Sequence, residues 1–165
     1  MLLFAIPAFE AGGEIVSSTS IREAIGSGDL DRAAGLLGRP YSVLGTVVHG
    51  NRAGHTIGFP TANVDVENEL LPPGGVYAIR ADVGGETRGG VANLGFRPTI
   101  ESQRVAKPVL EAHIFDVDAS TDLYGHSLEV HFIGRMRDER EFDSVASLRD
   151  QIALDLEAAR AALGG

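Results

Sequence analysis

From Tyr41 onward the hydrophobic period of the chain becomes two, in segments of strand length. Tyr41 to His49, Thr61 to Val66, Val76 to Val83, Arg88 to Leu94, Val109 to Val117 and Ser127 to Met136 each read this way. Turn formers separate them, including Leu70 to Gly75 (LLPPGG) and the pair Gly84-Gly85. Six or so short strands with glycine-rich turns, in a chain of 165 residues, point to a closed or nearly closed antiparallel barrel. Closure also removes the exposed sheet edges that would otherwise invite pairing with other chains.

Both ends read differently. Residues 1–16 are apolar and irregular, with a break at Gly12-Gly13 and room for a short strand near Glu14 to Val16. Ser17 to Ser20 offer N-caps to a helix through Ile21 to Ile25, and Gly26-Ser27-Gly28 stops it. Asp29 caps a second helix running to Leu37, with Gly38 as its stop. In the tail, Val145, Leu148, Ile152, Leu156, Ala159 and Leu163 recur at three and four behind Asp143 or Ser144. That spacing predicts an amphipathic helix laid against the barrel.

Charge narrows the function classes. With 23 acidic against 14 basic residues, a formal net charge of −9, an extended nucleic-acid surface is not expected, because phosphate backbones are bound by clustered Lys and Arg. No apolar run reaches the roughly 18 residues of a membrane span, and Met1 to Ala8 is too short and lacks a basic start for a secretory signal. The absence of cysteine removes disulfides, thiolate metal sites and thiol nucleophiles. Cytoplasmic residence is the resulting default, and no protein partner is evident. A nucleotide stays compatible with the charge, since a metal ion and a few backbone N–H groups can hold a triphosphate locally.

The densest candidate site is Gly54 to Asn63, reading GHTIGFPTAN. Gly54 and Gly58 can take backbone angles closed to other residues, and Pro60 fixes its own φ while biasing Phe59 towards extended geometry. Thr61 and Asn63, two apart, share one face of an extended backbone. One hydroxyl and one amide oxygen suit the sparse protein ligation of Mg2+ beside substrate phosphates. The plain alternative is a tight connection between strands. Upstream, Gly50 to His55 (GNRAGH) carries small residues whose backbone N–H groups can approach phosphates. Downstream, alternation puts Val109, Glu111, His113 and Phe115 on one face of a strand and Leu110, Ala112 and Ile114 on the other. Glu111 is either solvent-facing or a carboxylate kept for a purpose, because burying one idly is costly.

The string GFPTAN at Gly58 to Asn63 resembles the signature of riboflavin kinases, including the kinase module of bacterial bifunctional riboflavin kinase/FAD synthetases. Further segments are similar in order and spacing over about residues 39 to 163. LEAHIF at Leu110 to Phe115 is like the family's Glu-x-His strand, Asn93 to Thr99 like its Asn-x-Gly-x-x-Pro-Thr loop, Asp122 to Gly125 like its Asp-x-Tyr-Gly turn, and Arg135 to Phe142 like a basic segment before its last helix. Family members often carry Gly-Arg-Gly or Gly-Arg-Thr where this chain has Arg52-Ala53-Gly54-His55-Thr56. Ser17 to Arg22 (SSTSIR) resembles a phosphate-contacting motif near the end of the family's FMN adenylyltransferase half, but no His-x-Gly-His motif precedes it.

The resemblance implies a mainly β fold: a six-stranded antiparallel Greek-key barrel, a C-terminal amphipathic helix and short N-terminal helices. Residues 39–165 would be a riboflavin kinase domain, and 1–38 an adenylyltransferase remnant and helical linker without that activity. It implies phosphorylation of the riboflavin 5′-hydroxyl by ATP to give FMN and ADP, with Mg2+ or another divalent ion. Glu111 would be the general base, and Thr61 and Asn63 the metal ligands. Gly50, Arg52, Gly54, His55, Gly58, Pro60, Thr61 and Asn63 would line the ATP site, and Asn93, Arg97, Thr99 and Arg137 the flavin site. His113 is a second acid/base candidate. The rival reading is a non-catalytic flavin- or nucleotide-binding barrel left from a truncated bifunctional enzyme.

Overall fold

A computed structural model of the chain describes residues 9–50, 58–97, 107–118 and 121–164. A small hairpin pairs β1 (Glu10–Ala11) with β2 (Glu14–Ile15) around Gly12-Gly13. Helices α1 (Ser18–Ser27) and α2 (Leu30–Leu37) follow, then six strands: β3 (Ser42–Val48), β4 (Ala62–Val66), β5 (Gly75–Val83), β6 (Glu86–Arg97), β7 (Lys107–Ile114) and β8 (Ser127–Arg137). The last element is helix α3 (Val145–Leu163). All six long strands pair antiparallel in the closed order β3-β4-β7-β6-β5-β8. β5, β6 and β7 form a meander, and β4 lies beside β7 rather than beside its successor, which is Greek-key connectivity.

Period two in the sequence becomes an inside and an outside. Val43, Val47, Val64, Tyr77, Ile79, Leu94, Leu110, Leu128, Val130 and Phe132 fill the barrel interior. Tyr77 and Phe132 meet there edge to face at 5.0 Å. The Tyr77 hydroxyl donates to the Pro73 carbonyl, and burial pushes its pKa up. Alternate residues of β5 and β6, Val76, Ala78 and Val91, point outward instead and pack with Phe115 against Ala159, Leu156 and Leu163 of α3. At another flank α1 and α2 bury Ala24, Ile25, Ala33 and Leu36 against Tyr41 and Leu70, while Leu30 of α2 reaches the barrel core itself.

Caps fall where the side chains allow. Ser17 and Ser20 make a reciprocal capping box on α1, Asp29 accepts from Arg32 N on α2, and Ser144 accepts from Ser147 N on α3. Helix α1 passes through Gly26 and ends only at Gly28, which has φ 79°. Most strand limits lie within a residue of the sequence reading, and β6 and β7 depart further. β6 is longer than Arg88 to Leu94, because it pairs with β5 along one edge and β7 along the other. β7 stops at Ile114, short of Val117, because Asp116 takes φ 57° and Phe115 turns into the α3 cluster. Along β5–β8 the register shifts twice, by one residue each time, which brings Arg137 opposite Val76.

Candidate active site

β7 sits between β4 and β6, and its residue Glu111 pairs with Asn63 on one side and Asn93 on the other. The chain neighbours Leu110 and Ala112 are buried in the core, so this row of amide, carboxylate and amide leaves the outer face of the barrel. A cavity of about 480 Å³ at the mouth of the barrel is lined by Val47, Thr61, Asn63 and Tyr124 among others. A second, of about 270 Å³, lies between the outer face and α3, lined by Phe59, Thr61, Asn93, Glu111, Arg137 and Phe142 among others. Thr61 borders both, Asn63 the first and Glu111 the second. The two cavities therefore have Thr61 as a common wall.

Local sequence sets these positions. Gly58 has φ 90°, a conformation that L side chains rarely adopt, and Pro60 leads directly into β4. The Pro60 carbonyl accepts from His113 Nδ1 at 2.8 Å, which ties the GFPTAN segment to β7. His113 also stands edge-on to Phe59 and Phe115, with centroids 6.2 and 6.0 Å away. Its ring thus holds the loop in place. Just past β3, Gly50 lies so close to Asn63 that a Cβ there would come within 2.2 Å of the amide. The absent side chain leaves a cradle in which the Asn63 amide sits. Neutral oxygens at Thr61 and Asn63, with a carboxylate at the paired position, form a donor set that fits a hard, mostly hydrated ion such as Mg2+.

The second cavity is held by polar contacts from β8, the segment after it, and α3. Asn93 Nδ2 donates to Glu139 Oε1 at 2.8 Å. Gly95 makes room for that carboxylate, since a Cβ would lie 2.8 Å from Glu139 Oε1. Arg137 lines the cavity with its guanidinium already engaged: Nε donates to Asp155 Oδ1 at 3.0 Å, Nη2 to Oδ2 at 2.7 Å, and Nη1 to the Asp138 carbonyl. Asp155, 5% exposed, accepts in addition from Gln151 Nε2. Arg137 and Arg140 flank the Phe142 ring at 5.9 and 4.6 Å.

The structure brings Pro60, Thr61, Asn63, Glu111, Asn93 and Arg137 of the sequence reading to the walls of these two cavities, with Gly50 against the Asn63 amide, while Gly58 lines neither. Arg52, Gly54, His55, Thr99 and the side chain of Arg97 lie outside the described residues. Sequence reasoning passed over Glu139 and Asp155. Asp155 left a signal: it stands in the buried stripe Leu148, Ile152, Asp155, Ala159, at i, i+4, i+7 and i+11, where a carboxylate needs a partner. Also unforeseen is the stack of His49 on Tyr124, 3.9 Å between centroids, beside the first cavity. Tyr124 is placed by a turn in which its N–H donates to Asp122 Oδ1.

The family model described as flavokinase, riboflavin kinase, matches residues 37–163. The bifunctional riboflavin kinase/FMN adenylyltransferase of Bacillus subtilis is 42% identical over 145 residues, 87% of this chain and 45% of its own length. That of Haemophilus influenzae is 46% identical over 147 residues, 88% of this chain and 46% of its own. The chain spans about half the length of the curated relatives it matches. Among solved structures, one from Streptococcus pneumoniae described as a macrolide-efflux protein has TM-score 0.85 at 36% identity, covering 94% of this chain and 50% of its own. A riboflavin kinase from Trypanosoma brucei has TM-score 0.53 at 24% identity over 76% of this chain and 80% of its own, a likeness of fold.

Proposed function

Because the chain belongs to the riboflavin kinase family, we propose that it transfers the γ-phosphoryl group of ATP to the 5′-hydroxyl of riboflavin, giving FMN and ADP. The observation that carries this reading is the meeting of two cavities at Thr61, with Asn63 bordering one and Glu111 the other. Phosphoryl transfer asks chiefly for two substrates brought in line, charge neutralisation and a base at the attacking hydroxyl.

In this reading the barrel-mouth cavity takes the nucleotide and the cavity under α3 takes the flavin. Glu111 accepts the proton of the ribityl 5′-hydroxyl as its oxygen bonds to the γ-phosphorus, and the bond to the β–γ bridging oxygen breaks, with its electron pair leaving on ADP. Thr61 and Asn63 would hold Mg2+, which when bound supplies charge neutralisation to the phosphates. Gly50 gives the Asn63 amide its room, and His113 holds the Pro60 carbonyl so that Thr61 faces both cavities. Asn93, fixed by Glu139, and Arg137, fixed by Asp155, shape the flavin side without demanding that either move. Residues 1–38 we take to be the end of an adenylyltransferase half, whose helices α1 and α2 serve here to cover one flank of the barrel.

The test is direct. Incubation of the chain with riboflavin, ATP and Mg2+ should give FMN and ADP in equal amounts, followed by chromatography with fluorescence detection. Riboflavin binding without FMN formation would instead identify a non-catalytic flavin module.

A further inference from the structure

Three strands round the ring from β7 lies β8, and on its outer face metal-ligating side chains converge outside the site described above. Glu129 and His131 stand two apart with buried Val130 between them, so both leave the barrel on the same face. Across the β5–β8 ladder Arg80 pairs with His131 and Ala81 with Val130, which sets Asp82, next along, beside Glu129. One ligand atom from each of Asp82, Glu129 and His131 can be chosen so that all lie within 4.8 Å of one another. His131 Nε2 is already 3.2 Å from Asp82 Oδ2. In a tetrahedral site with bonds of about 2.0–2.1 Å, ligand atoms stand about 3.3–3.4 Å apart. One edge of such a polyhedron is therefore in place, and the remaining gap is within reach of a glutamate torsion.

The carboxylates are oriented from behind, as metal-ligating carboxylates are. Thr87 Oγ1 donates to Asp82 Oδ1 at 2.5 Å, leaving Oδ2 towards His131. Ser42 Oγ donates to Glu129 Oε1 at 2.6 Å and is itself fixed by Arg39 Nη1 at 2.9 Å. A plain surface ion pair accounts for His131 and Asp82, but not for a third, hydroxyl-anchored carboxylate with an oxygen within 4.8 Å of both. All three residues come from paired strands rather than loops, which fixes their backbone spacing.

We infer that Asp82, Glu129 and His131 form a second cation site, for a first-row divalent transition ion such as Zn2+, that fastens the end of β5 to β8. One imidazole nitrogen with two carboxylate oxygens suits such an ion, whereas Mg2+ prefers all-oxygen octahedral surroundings. The site shares no residue with Thr61, Asn63 or Glu111. It is structural and stands apart from phosphoryl transfer.

Calorimetric titration of the chelator-stripped chain with Zn2+, in excess Mg2+, should show one bound equivalent, and the melting temperature should rise with Zn2+ concentration. His131→Gln and Glu129→Gln should each weaken Zn2+ binding at least about tenfold. Melting curves in chelator establish that each variant is folded, and Glu129→Gln, which keeps the side-chain shape, decides the matter if His131→Gln is not. FMN formation with Mg2+ alone should be unchanged in Glu129→Gln. No Zn2+ binding in excess Mg2+, or equal affinity in wild type and the folded variants, would overturn the site and leave a surface ion pair.

Discussion

With Glu111 as the proposed general base, its substitution tells a catalytic barrel from an inert one. Glu111→Gln keeps shape and hydrogen bonding but loses the acceptor charge, so turnover should fall by on the order of 10²–10⁴ with riboflavin affinity little changed. Steady-state turnover and a riboflavin titration on one preparation check this, and near-normal turnover would return Glu111 to a surface role. Gly50 gives a second prediction. Its Cβ in Gly50→Ala would meet the Asn63 amide, which must swing aside, so the apparent KM for Mg-ATP should rise about tenfold, roughly 1.4 kcal/mol, while riboflavin binding holds. Thr61, Asn63 and Glu111 were legible because a dense local string and strict alternation mark them within a few residues. Glu139 was not, since its partner Asn93 is 46 positions away and only barrel closure unites them. Gly50 was legible as a small residue, but the particular side chain it makes room for was not.

Between elements, the decisive contact is the one that seats α3 on the barrel. Apart from Val145, which is 65% exposed, its apolar stripe was legible from spacing at three and four, yet apolar packing alone lets a helix slide along a sheet. Asp155 removes that freedom by taking two nitrogens of Arg137 and one of Gln151 in a buried position. Asp155→Ala leaves the guanidinium facing an apolar wall and should cost about 2–4 kcal/mol, read as a lower midpoint in urea. Because Arg137 borders the cavity proposed for the flavin, the same variant should weaken riboflavin binding more than Mg-ATP binding. Equal effects on both ligands would show that α3 is only a lid of packing. Strand identities were likewise legible from period two, whereas strand ends were not. The end of β7 depends on Asp116 taking a positive φ so that Phe115 can join α3, a tertiary preference that no run of residues announces.

At the scale of the whole molecule helices α1 and α2 keep a cluster of their own at the barrel's flank and join the barrel core through Leu30. The SSTSIR stretch resembles a nucleotide-contacting motif, yet the Ser17 and Ser20 hydroxyls are spent on each other and on the first turn of α1. The helices that follow bury Ala24, Ile25 and Leu36 against Tyr41 and Leu70 at the edge of the barrel, and Leu30 enters its interior. If this segment acts as a cover, its chemistry should be dispensable and its packing should not. FMN with ATP and Mg2+ should then yield no FAD from this chain, and Ser18→Ala should keep kinase turnover within about twofold, roughly 0.4 kcal/mol on the transition-state scale. Leu30→Ala, by contrast, removes a side chain only 6% exposed and should cost about 2–4 kcal/mol through the cavity it leaves. One chromatographic assay for FAD and one urea titration separate the two roles. FAD formation would restore a nucleotide role to Ser17–Arg22, and an unshifted urea midpoint in Leu30→Ala would mean that the barrel holds without its helical cover.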